Sequence, residues 1–270
     1  MIWRRIWVIV RKDLRELLGN RMVVLPMTIV PLMFCVAMPA LLTGIGLSAG
    51  SLQNLNGQQL LERMLAFYAI PPVLPTLPAR MIYVVLNYTF IPMFMIVPLM
   101  ASSIISANAI VGEKERKTLE TLLYTPVTNR EFIVAKLLGP FLPAVAIAWI
   151  GFVGYFAAAN IVSLVMIHTL MIRSWIWLPA LLLLAPAVSA IGLSATLAVS
   201  LKAKSFMEAQ QLGGAVVIPM ILLVVIQITG VIVLNIFTLI AFALLLLAAS
   251  YLIVMRVLPH FTREGIISTL

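Results

Sequence analysis

Charge, cysteine and histidine are all scarce in this 270-residue chain, and each shortage closes off a class of chemistry. The single cysteine, Cys35, excludes an internal disulfide framework and any cysteine-based metal cluster. Of two histidines, His168 belongs near one membrane face and His260 near the other, so they cannot share a metal or a dyad. Nine acids stand against eighteen lysines and arginines, and none needs to sit deep inside an apolar run. Ion-coupled carriers keep titratable or coordinating groups near mid-membrane, so this distribution argues against one. Backbone carbonyls, however, can bind sodium without any charged residue. No G-x-x-x-x-G-K-[ST] run occurs, so the chain cannot itself hold ATP through a P-loop. Ser189 and Ser194 read as small packing residues in a helix interface and not as nucleophiles. These absences leave no catalytic, cofactor-binding or metal-binding residue to name.

Apolar residues fill the space instead. They make up 63% of the chain, at a mean hydropathy of +1.14, against roughly 45–50% in soluble domains. Several runs exceed the ~20 residues that cross a hydrocarbon core. The pattern predicts an all-α, polytopic membrane protein forming one transmembrane domain over 1–270. Its six spans are expected at about 22–43, 82–111, 137–159, 175–200, 211–229 and 232–255. Pro26, Pro31, Pro92, Pro98, Pro186 and Pro219 fall inside them and predict bent, packed helices.

Residues 1–21 place Trp3, Ile6, Trp7, Val10, Leu14 and Leu17 on one helical face, and Arg4, Arg11, Lys12 and Arg15 on the other. That predicts an amphipathic elbow helix in the headgroup plane of the bilayer, anchored by Trp3, Arg4, Trp7, Arg11 and Lys12 and ending at Gly19–Asn20. A loop over 44–81 and the stretch Ile161–Ile172 are expected to rest at the outer surface or to cap a pathway. Lysine and arginine counts orient the chain. With the N-terminus inside, the cytoplasmic segments hold six, five, two and two, fifteen in all, against only Arg63, Arg80 and Arg173 outside. Both termini and the central loop are thereby predicted to be cytoplasmic. A net charge of +9 arranged in this way points to anionic lipid and not to nucleic acid.

The stretch over 112–136 breaks the apolar pattern, with eight charged residues between Gly112 and Phe132. Leu119, Leu122 and Leu123 recur at i, i+3 and i+4, so its first half predicts a short amphipathic helix. Glu113 and Lys117 sit four apart with the acid first, and Arg116 and Glu120 form a reversed pair. Pro126 stops that helix. Thr128-Asn129-Arg130-Glu131 is a capping box that starts the next one. Charged loops satisfy the positive-inside rule whatever their function, and an amphipathic loop helix can simply cover the membrane surface.

The run from Gly112 to Val127, GEKERKTLETLLYTPV, followed by Arg130, Glu131 and Lys136, resembles the E-x-E-x-x-T-L-E-x-L-L-x-T-P-V signature of bacterial ABC-type export permeases. The elbow, the six spans and the run from Ser205 to Gln211 extend that resemblance over nearly the whole chain. It implies that the segment is a coupling helix docking into a separate ABC ATPase subunit through Glu113, Glu115, Arg116, Thr118, Leu119, Glu120, Leu122, Leu123 and Pro126. Lys204 and Glu208 are expected to make a second cytoplasmic contact. ATP and Mg are implied on the partner subunit, in the bacterial plasma (inner) membrane. A permease of six spans is further implied to work as a homodimer, or as a heterodimer with a related permease. Two departures stand out: Lys117 where many relatives have glycine, and little room at Gln227–Val233 for re-entrant outer helices. An ion-coupled carrier or passive channel, and a non-transporting membrane scaffold, stay open as alternatives. The cargo stays open among drug, lipid, peptide, polysaccharide and ion.

Overall fold

The computed structural model describes residues 3–48, 65, 67–74, 76–116, 128–200, 202–203, 205–228 and 234–260. Among them there is no strand. The elbow helix α1 (Trp3–Gly19) ends where the Gly19–Asn20 break is expected. Six further helices are long and apolar enough to cross a membrane: α2 (Val23–Ser48), α3 (Leu77–Glu115), α4 (Glu131–Ile167), α5 (Trp177–Ser200), α6 (Phe206–Gln227) and α7 (Ile236–Val257).

These spans are not equivalent. The most apolar window of α3 is 89% buried inside the protein and that of α5 61%, while the other four lie at 17–22%. The α3 helix is therefore the hub, with α4 and α5 packed along it, α7 behind α5, and α2 and α6 flanking. Its sequence shows why close packing is possible. Ala101, Ser102, Ser103, Ser106 and Ala107 of α3 are all buried, as are Ser189, Gly192, Ser194 and Thr196 of α5, and Gly192 sits against Ser102 and Ser103. Small side chains let two backbones approach where the hydrophobic effect gives no preference for helix over lipid. The approach is tight at Gly192, where an added Cβ would lie 2.5 Å from Ser102 Oγ and 3.0 Å from the Leu99 carbonyl. Ser102 donates to the Leu99 carbonyl at 2.9 Å and Thr196 to that of Gly192 at 2.9 Å, each within its own helix, while Ser103 reaches across to the Gly192 carbonyl at 3.4 Å.

Proline and side-chain donors shape the rest. Short π-helical segments interrupt the spans at Met33–Ala37, Val85–Thr89, Asn108–Gly112 and Ala180–Leu184. Such widened turns leave carbonyls poorly served by the helix, and in an apolar medium each needs another donor. Tyr155 donates to the Leu86 carbonyl at 2.6 Å, and Trp149 Nε1 to that of Leu181 at 3.2 Å. Pro92 has no N–H to offer the Tyr88 carbonyl, which instead accepts from Gln227 Nε2 at 3.1 Å. Around these segments Phe90 and Phe94 of α3, Phe152 and Tyr155 of α4 and Trp177 of α5 form one aromatic cluster. Its edge and tilted contacts include 5.4 Å between the Phe94 and Trp177 rings.

The stretch Ile161–Ile172 is not one segment: its first part is helical and largely exposed, and Met171 and Ile172 at its end are buried. Ile161 to Ile167 continue α4, which closes at His168 in the left-handed region (φ 54°). The chain then turns back into the protein, because two buried asparagines provide partners for its backbone. Asn160 Oδ1 accepts from the amides of Met171 and Ile172, both at 2.9 Å. Asn87 donates to the Met171 carbonyl at 2.8 Å and accepts from the Ser174 amide at 3.2 Å.

Candidate functional site

The strongest concentration of charge among the described residues lies where α1, the last turn of α3 and the first turns of α4 meet. Each helix brings its piece for a local reason. In α1 the buried face is Ile6, Ile9, Val10, Asp13 and Leu17; Ile6, Ile9 and Val10 pack on Ala135, Val134 and Leu138 of α4, and Leu17 on Val23, Ile104 and Ile105. This shifts the face expected from the wheel: Trp3 and Trp7 are exposed, and an acid takes a place on the apolar stripe. Gly139 of α4 lies beside it: a Cβ there would stand in ordinary contact, 3.5 Å from Asp13 Oδ2. The α4 helix is aimed by its N-cap, the capping box read from the sequence. Thr128 Oγ1 accepts from the Glu131 amide at 3.3 Å and Glu131 Oε2 from the Thr128 amide at 3.1 Å. Two turns on, Lys136 points inward and is 2% exposed.

Lys136 Nζ lies 2.7 Å from Glu113 Oε2 and 3.1 Å from Asp13 Oδ2. Glu113, likewise 2% exposed, takes Lys12 Nζ on its other oxygen at 2.5 Å. Lys12 also reaches Glu16 of its own helix at 3.3 Å. Three helices are thus welded by two ammoniums and three carboxylates. Asp13, Glu16 and Glu113 could by spacing hold a metal ion. The lysines already stand as their counter-cations, so the chemistry of the set is that of an ion-pair network. At Lys12, burial opposes the charged form, yet the hydrogen bond and charge of Glu113, with Glu16 and Asp13 behind it, outweigh it and raise the pKa above 10.5. At Asp13, burial leads, Lys136 opposes it and Glu113 repels; the carboxyl ends above its ordinary 3.8. Removing one partner of such a buried network leaves an uncompensated charge and costs about 3–5 kcal/mol.

Further bonds extend the weld towards the loop. Asn108, in the π-helical turn of α3, accepts from Asn20 Nδ2 at 3.2 Å and from Arg116 Nη2 at 3.3 Å. Gly112 suits that turn, because a Cβ on it would come within 3.1 Å of Asn108 Oδ1. Glu115 Oε1 accepts from the amide of Phe206 at 3.1 Å, placing a carboxylate on the N-terminus of α6, while Ser205 caps the Glu208 amide at 3.2 Å.

Of the residues expected to contact an ATPase, Glu113 is buried in the weld, Glu115 and Arg116 are exposed, and Glu208 is half-buried in the first turn of α6. Thr118, Leu119, Glu120, Leu122, Leu123, Pro126 and Lys204 lie outside the described residues. Among the expected anchors, Trp3, Arg4, Trp7 and Arg11 are exposed, while Lys12 is drawn into the network. Asp13 had no place in the sequence reading, and Lys136 entered it only as part of a motif. The available signal was Asp13 itself, a lone acid in register with Ile6, Ile9 and Leu17.

No curated protein matches this chain. The sequence pattern of the ABC-2 family transporter proteins matches residues 7–261. The chain belongs to the ABC-2 transporter family, as a multi-pass permease component of an ABC transporter.

Proposed function

We propose that this permease exports its substrate using ATP hydrolysed on a separate subunit, and that force enters through the loop between α3 and α4. The observation that carries the reading is the weld of Lys136, Glu113, Asp13 and Lys12 at the base of that loop. A loop hung on a single helix end would flex when pushed. Here the ends of α3 and α4 and the elbow helix are bound into one block, so displacement of the loop moves all three. The hub position of α3 then passes the motion to α5 and the remaining spans. Nucleotide and substrate bias one inward–outward equilibrium, each by its differential affinity for the two states.

The fifteen-to-three distribution of Lys and Arg supports a cytoplasmic weld, with both termini on that side of a bacterial inner membrane. Trp3 and Trp7, exposed on α1, suit the headgroup layer. Six spans supply half of a twelve-span pathway, so two copies, or one copy and a related permease, complete it.

The test is co-purification with a co-expressed ABC ATPase subunit, and stimulation of its ATP hydrolysis. Glu120→Arg with Leu122→Arg is expected to abolish both while leaving the bundle folded. Unchanged assembly and stimulation would overturn the docking role. Transport by the purified chain alone, without ATP, would establish a channel or ion-coupled carrier instead.

A further inference from the structure

At the opposite end of the bundle, an open recess of about 760 Å³ lies between the loop before α3, the turn from α4 to α5 and the approach to α7. Tyr83 and Tyr88 line it and are nearly fully buried, whereas Phe67, Trp175 and Phe237 line it and are 74–82% exposed. Arg173 is the one charged residue among its described lining, and it also borders a second slot of about 280 Å³. Trp177, whose buried Nε1 has no hydrogen-bond partner among the described residues, lines that slot.

An aromatic belt alone would be the ordinary furniture of a membrane interface. What exceeds it is the care taken over Arg173. Its neighbours Met171, Ile172 and Ser174 are held by backbone hydrogen bonds of 2.8–3.2 Å to Asn87 and Asn160. Both asparagines are buried, where an amide is costly unless bonded; Asn87 is bonded through both amide atoms and Asn160 through its oxygen. They fix a short turn whose only charged side chain is Arg173. No carboxylate among the described residues pairs with it, and it shares the wall of the recess with Tyr83. A positioned fork of N–H donors beside aromatic walls matches an acidic headgroup joined to an apolar body.

We propose that this recess binds an amphipathic anion, its acidic group paired with Arg173 and its acyl or aryl body laid on the aromatic wall. The site stands independently of the coupling reading and survives if that reading fails. Two sources share the chemistry: an acidic lipid of the surrounding leaflet, and a water-borne amphiphile.

The full chain in zwitterionic nanodiscs tests it, with tryptophan quenching by brominated chains as the signal. One arm dopes the bilayer with brominated phosphatidylglycerol, and the other adds a brominated alkyl carboxylate from solution. Saturable quenching lost in Trp175→Phe assigns the signal to the recess. Arg173→Gln is expected to weaken binding about tenfold or more, the loss of one charge-assisted contact, while Arg173→Lys retains most of it. Because Arg173 is exposed, the melting temperature should not move. Response in the first arm alone identifies a lipid, and in the second alone a soluble amphiphile. Equal binding by Arg173→Gln, equal quenching by the matching brominated alcohol, or no saturable quenching in either arm overturns the proposal.

Discussion

Replacing Lys136 by methionine keeps an unbranched chain one atom shorter and removes the ammonium, with its charge and the hydrogen bonds it donates. The ammonium lies 2.7 Å from Glu113 and 3.1 Å from Asp13, and all three groups are almost wholly out of water. Two carboxylates are then left with only Lys12, at the edge of the network, to answer them. A buried charge deprived of its partner costs about 3–5 kcal/mol. At roughly 2–4 °C per kcal/mol for a chain of this size, the melting temperature should fall by roughly 6–20 °C. The control is the same change made beside Asp13→Asn and Glu113→Gln, where no carboxylate needs neutralising. There Lys136→Met should cost about 1 kcal/mol, giving a coupling of about 2–4 kcal/mol. The assay is thermal unfolding of the purified protein in detergent, read for all corners of the cycle. Effects that add to within about 0.5 kcal/mol would refute the argument, because Lys136 would then not be the counter-ion of the buried acids. The triple variant also separates folding from transmission. Its melting point should recover while its stimulation of the partner ATPase stays low.

Gly192→Ala should destabilise by about 1–3 kcal/mol through overpacking, since its Cβ would meet Ser102 Oγ at 2.5 Å. Adding Ser102→Ala should return part of that loss in the same melting assay. Gln227→Leu should cost about 1–3 kcal/mol by taking the side-chain donor from the Tyr88 carbonyl; adding Pro92→Ala, which restores a helix N–H there, should rescue it. His168→Gly should raise stability by about 1–2 kcal/mol, because a left-handed φ of 54° strains any residue with a Cβ. The folded Asp13 carboxyl lies above its unfolded value of 3.8, so this group favours the folded state below 3.8 and loses that contribution as pH rises through the folded value. Asp13→Asn should flatten that part of the stability–pH profile. Lys12 contributes fully below 10.5 and fades only as pH climbs past its raised folded value.

Much of the local architecture was legible in the residues. The apolar runs predict six crossing helices, the Gly19–Asn20 break ends the elbow, and Thr128 with Glu131 makes the cap that the spacing announces. Each of these is decided within a few residues of chain. The weld is not. Lys12 meets Glu113 across 101 positions and Lys136 meets Asp13 across 123, and no periodicity links them. Asp13 on the apolar face of α1 signals that a buried partner exists without saying which. The turn back under Asn87 and Asn160 was hidden for the same reason, since an apolar stretch suits a membrane surface as well as a protein interior.

Hydropathy alone thus determined that the chain is a helical membrane protein and roughly where it crosses. It could not rank the spans: α2 and α3 score 2.1 and 2.0, yet their most apolar windows are 17% and 89% buried inside the protein. Lipid tails are as apolar as leucine, so a side chain facing lipid and one facing another helix look alike in sequence. Tertiary packing decided that α3 is the hub, which charges are buried together, and how the loop is tied to the bundle. Close contact of small residues and satisfaction of buried polar groups select among arrangements that hydrophobicity leaves equal.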